Sequence, residues 1–167
     1  MIKRITLLWI VFLCATALSH AQNKNAAKYN NDIIKLQHKV TPSIVKFFKT
    51  FEKGTAEDLK KQKAKLIPKF DAAIAKIDAM PDFEGDASLK NACLDWFKLY
   101  KSSFETEYNH IIELVANRDR SKEDHAKLDQ LTDELVKREE AVDAQFEKAQ
   151  EVFAKKHKLE LIECPIK

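Results

Sequence analysis

The sequence predicts an all-α protein, an up-down-up-down antiparallel four-helix bundle carried behind an N-terminal signal peptide. Three observations lead there. The 167 residues include only two glycines, Gly54 and Gly85, and four prolines, too few turn-formers for a sandwich or barrel of this size. One residue in three is charged, so long solvated faces are available. Apolar residues recur at spacings of three and four through four long stretches, the period of a helix with one buried face.

The first segment, Met1 to Ala21, reads differently. Lys3 and Arg4 precede an apolar run from Ile5 to Ser19, which ends at the small-residue junction Ser19-His20-Ala21. A basic start, a short hydrophobic centre and a small-residue end make a secretory signal peptide, too short and wrongly flanked for a committed membrane span. Residues 1–21 are thus expected to be removed, leaving residues 22–158 as the bundle and 159–167 as a tail. The remainder is expected outside the cytoplasm, in the periplasm or on the cell surface, with no membrane-spanning segment of its own.

Helix one is expected over about residues 25–53, with Tyr29, Ile33, Leu36, Val40, Ile44, Phe47 and Phe51 on one face. Pro42 removes a backbone donor within it and should kink it, and Gly54 should end it in the left-handed conformation. Thr55 with Asp58 forms a capping box for helix two, about 55–80, with the stripe Leu59, Leu66, Phe70, Ala73, Ile77 and Met80. The acidic loop from Pro81 to Asp86 leads to helix three, about 87–117, which carries Leu89, Cys93, Trp96, Tyr100, Phe104, Tyr108, Ile111 and Val115. Ser121 with Asp124 caps helix four, about 122–158, whose stripe is Leu128, Leu131, Leu135, Val142, Phe146, Ala149 and Phe153. Short connections make neighbours antiparallel, and each coiled-coil-like seam must be covered by the other helices.

Charge divides unevenly. Without residues 1–21 the chain carries 27 basic against 26 acidic groups, but residues 22–80 total +7 and residues 81–167 total −6. Opposite fields favour docking of the two hairpins, and Lys28, Lys35, Lys39, Lys46 and Lys49 leave a basic flank. The near-neutral whole gives no bias towards nucleic acid.

Few residues carry chemistry. Glu107 and His110 have the Glu-x-x-His spacing of di-iron bundles, but helix four lacks the second copy and helix one offers only Asp32 and Glu52. There is no haem-attachment motif, no nucleophile elbow around Ser43, Ser88, Ser102 or Ser103, and no glycine-rich phosphate loop. No catalytic, cofactor-binding or metal-binding residue is therefore assigned, and the chain is expected not to be an enzyme. Cys14 stands in the apolar run, either as a filler that leaves with it or as a lipidation site, for which Leu13 is an unfavourable neighbour. Cys93 and Cys164 can meet if the tail folds back, a bridge worth about 2–4 kcal/mol; the alternative is a buried Cys93 thiol and an exposed Cys164. In the loop, Phe83 can close the end of the bundle, Gly85 can reverse the chain and Asp86 can cap helix three. Asp82, Phe83, Glu84 and Asp86 are alternatively a cation or partner contact.

The run Pro81-Asp82-Phe83-Glu84-Gly85-Asp86-Ala87-Ser88-Leu89-Lys90-Asn91-Ala92, followed by Trp96 to Lys101, resembles a family of uncharacterised bacterial exported proteins, signal-bearing helical bundles described only as surface proteins. The resemblance extends over most of residues 26–157, including Ala149 to Lys156. It implies a bundle fold and an envelope or surface location, and it brings no activity, cofactor or site residue. The expected role is a non-catalytic binding or interaction module whose partner is an unknown envelope protein or surface component. The alternative is a periplasmic carrier that holds a small ligand or metal inside the bundle.

Overall fold

Four antiparallel helical rods pack their seams together, with a two-stranded sheet at one end. The computed structural model describes residues 13–16, 21–117, 119 and 121–164. Helix α1 spans Ala21–Lys53 and α2 spans Ala56–Asp78. The third rod is α3, Ser88–Glu105, followed by α4, Glu107–Ala116, and the fourth is α5, Lys122–Lys156. Strand β1, Leu13–Thr16, pairs antiparallel with β2, Glu160–Glu163. Among the described residues, no helix is long and apolar enough to cross a membrane. Lys3, Arg4, Ser19, His20 and Pro165, which belong to the expected signal segment and tail, lie outside the described residues.

Local chemistry accounts for the helix starts. Thr55 Oγ1 accepts from the Asp58 N–H at 3.2 Å while the Thr55 N–H donates to Asp58 Oδ2 at 3.0 Å. Ser121 and Asp124 repeat the same reciprocal pair at 3.1 and 3.0 Å. Each box satisfies donors that the first helical turn leaves open.

Two expectations need correction. Gly54 is not left-handed, since Gly85 is the only glycine with positive φ. Its value lies in close approach: a Cβ there would sit 2.7 Å from the Thr50 carbonyl oxygen. Pro42 lies within α1, where the sequence placed it, and the helix continues through it to Lys53. The expected single third helix divides at Thr106, whose Oγ1 donates to the Ser102 carbonyl at 2.7 Å, while Asn109 Nδ2 donates to the Glu105 carbonyl at 2.6 Å. Side chains that compete for helical carbonyls favour such a break.

The core is aromatic along its length. Phe47, Phe70, Trp96, Phe97, Phe104 and Tyr108 are fully buried, with Phe104 4.9 Å from Phe47 and 4.5 Å from Tyr108 between ring centroids. At the loop end Phe83 closes the bundle, 5.1 Å from Tyr29, 5.4 Å from Phe153 and 5.0 Å from His157. His157 is thereby buried against aromatic rings.

Candidate functional site

Glu139 and Asp143 lie one turn apart on α5 and face the third rod. Trp96 Nε1 donates to Asp143 Oδ1 at 2.6 Å, and Tyr100 Oη lies 3.2 Å from Oδ2 of the same carboxylate. Tyr108 Oη donates to Glu139 Oε1 at 3.1 Å. The division at Thr106 sets the phase of α4, so Tyr108 reaches Glu139 while Trp96 and Tyr100 on α3 reach Asp143.

Burial dominates the electrostatics of this cluster. Glu139 is 4% exposed, and desolvation pushes its carboxyl up to about 8 against the lowering effects of Tyr108 and Arg138. Burial also raises Asp143, although the Trp96 and Tyr100 hydrogen bonds oppose it. The hydroxyls of Tyr100 and Tyr108 are raised by burial and then by the neighbouring carboxylates. Such a cluster holds a proton on Glu139 at neutral pH and fixes the register between the third and fourth rods. Its donors are turned onto its own carboxylates, an arrangement suited to locking helices.

The loop residues do not converge on one point. Asp82 pairs with Lys90, while Asp86 Oδ2 accepts from Lys156 at 2.7 Å and its Oδ1 accepts from the Ser88 N–H at 2.9 Å. Those contacts, the Lys156 hydrogen bond first, hold the Asp86 carboxyl well below the usual range. Glu84 and Gly85 both have positive φ, 52° and 80°, and Phe83 and Asp86 exchange backbone hydrogen bonds at 3.1 and 2.9 Å across them. That is the geometry of a two-residue hairpin turn. Glu107 pairs with Arg138 and Thr106, whereas His110 is exposed one turn along α4.

The cysteines depart from expectation. Cys164 is bridged to Cys14, with 5.6 Å between Cα atoms, and Cys93 is a buried free thiol, so the expected Cys93–Cys164 pair does not form. Cys93 points into the core from α3, and burial pushes its thiol far up. The β1–β2 register, which sets Cys14 opposite Ile162, brings Cys164 beside Cys14 instead.

The same end of the molecule holds a polar lane that the apolar stripes did not reveal. Strand β1 lies between β2 and a set of side-chain amides. Asn31 clasps Ala15 on both backbone groups: its Oδ1 accepts from the Ala15 N–H at 2.8 Å and its Nδ2 donates to the Ala15 carbonyl at 3.0 Å. Asn30 Nδ2 donates to the Leu13 carbonyl at 3.2 Å, and Gln150 Nε2 donates to that carbonyl and to Asn30 Oδ1, the latter at 2.8 Å. Asn30 and Gln150 are 0% and 1% exposed. Sequence held a signal for these residues: Asn30 precedes Ile33 and Ile34 at helical spacing, and Glu139 fills the gap in the α5 stripe between Leu135 and Val142.

Among the described residues, no group of three or more His, Cys, Asp or Glu side chains is placed to hold a metal ion. Compared with known protein-family models, with curated proteins and with solved structures, the chain matches none.

Proposed function

We propose that this chain is an exported, non-catalytic helical-bundle protein of the bacterial cell envelope or surface that works as a binding module. The observation that carries the reading is the way the buried polar side chains are used. Trp96 and Tyr100 bond Asp143, Tyr108 bonds Glu139, and among the described residues no cysteine, serine or histidine is hydrogen-bonded into that cluster. The basic start and short apolar run before Gln22 supply the export half of the proposal.

The second reading, a periplasmic carrier of a small ligand or metal, rests on Glu139, a titratable carboxyl deep between helices. One experiment separates the two. The full chain is expressed in a bacterial host, the exported fraction is collected, and the purified protein is analysed for metal and for bound small molecules. A processed protein without stoichiometric metal or ligand supports the binding module. Stoichiometric metal or ligand, lost on Glu139→Gln, supports the carrier, and retention of the unprocessed chain in the cytoplasm overturns both.

A further inference from the structure

Processing after Ala21 would take β1 away while leaving everything that grips it. This inference rests on the export reading above. The gripping groups belong to the retained chain: the edge of β2, Asn30 and Asn31 on α1, and Gln150 on α5. With β1 gone these amides face water, but α1 and α5 still hold them at the positions that pair an extended backbone, so the lane is preorganised for another segment of that kind.

We propose that the processed protein accepts an extended segment of a partner protein in the lane between β2 and the Asn30, Asn31 and Gln150 amides, by strand addition. The occupant's chemistry can be read from the resident strand. Ala15 is 3% exposed, so the residue clasped by Asn31 must be small. Glu163 lies opposite Leu13 and Glu160 opposite Thr16, and both glutamates are exposed. Cross-strand pairs of opposite charge are favourable, so the segment carries Lys or Arg at those two places, flanking a small residue. While residues 13–16 remain attached they fill the lane, so the unprocessed precursor is closed to the partner.

The test uses processed protein recovered after export of the full chain, with its N-terminus sequenced. The probe is a fluorescent peptide copying residues 11–17 with Leu13→Lys, Cys14→Ser and Thr16→Lys, and binding is read by anisotropy. Binding should be saturable, and N-methylation of the peptide at the Ala15 position should weaken it about tenfold or more, because the amide donor to Asn31 is lost. Asn31→Ala in the protein should weaken it similarly, and the modified peptide serves if that variant does not fold. Glutamate in place of both lysines should also weaken binding.

No binding to correctly processed protein overturns the lane proposal and leaves the export reading standing. Binding that is indifferent to N-methylation overturns it as well. A processed protein that dimerises and excludes the peptide overturns it in favour of pairing between two β2 edges. A product that still contains residues 13–16 overturns the export reading and this proposal together.

Discussion

Replacing Glu139 with glutamine isolates the proton that the buried cluster holds. In the folded protein burial pushes this carboxyl to about 8, against an ordinary value of 4.5 in the unfolded chain. The folded state therefore binds one more proton than the unfolded state between those values. By linkage, the stabilisation is fully present below the unfolded value and is lost as pH rises towards the folded one. The slope is about 1.4 kcal/mol per pH unit, so the wild type should lose about 2–3 kcal/mol relative to Glu139→Gln between about pH 5.5 and 7.5. Asp143 is raised too and tilts stability in the same direction, but it remains in both proteins. The same holds for Arg138, Glu107, Tyr100 and Tyr108 around the carboxyl. Glutamine keeps an oxygen for the Tyr108 hydroxyl. Urea unfolding followed by circular dichroism at several pH values gives both curves. Parallel curves for the two proteins would refute the burial argument.

Phe104→Ala, at a fully buried ring packed on Phe47, Phe70 and Tyr108, should cost about 3–5 kcal/mol in denaturant unfolding. Gly54→Ala should cost about 1–3 kcal/mol through overpacking against the Thr50 carbonyl, whereas Gly85→Ala should cost about 1 kcal/mol from its positive φ alone; thermal melts compare the two. Alkylation followed by peptide mapping should find Cys93 protected in native protein. Cys164 should be alkylated in processed protein and bridged to Cys14 in any product that retains residue 14.

The rods were legible because helical period is a repeated signal, and a seam such as Ile33, Val40, Ile44 and Phe47 survives small errors of phase. The capping boxes at Thr55 and Ser121 were legible because their chemistry is complete within four residues. The break at Thr106 was not, since it depends on Ser102, Thr106 and Asn109 competing for carbonyls inside an otherwise apolar-periodic run. Strand β1 was hidden more deeply. Four residues of a signal-like run pair with a segment 150 positions away at Cys14–Cys164, and no local pattern announces such a partner. Glu139 was masked by the charged run Lys137-Arg138-Glu139-Glu140, where one residue of four turns inward. Asn30 and Gln150 do not show in stripes of apolar residues, because these two are buried polar ones.

Whether the lane opens depends on what becomes of residues 13–16 in the living cell. Intact mass of the protein recovered after expression of the full chain in a bacterial host decides it most directly. Processing after Ala21 should give a chain beginning at Gln22 with an alkylatable Cys164. A mass that includes residues 13–16 with Cys14 bridged to Cys164, or a chain that begins at a lipid-bearing Cys14, would contradict it.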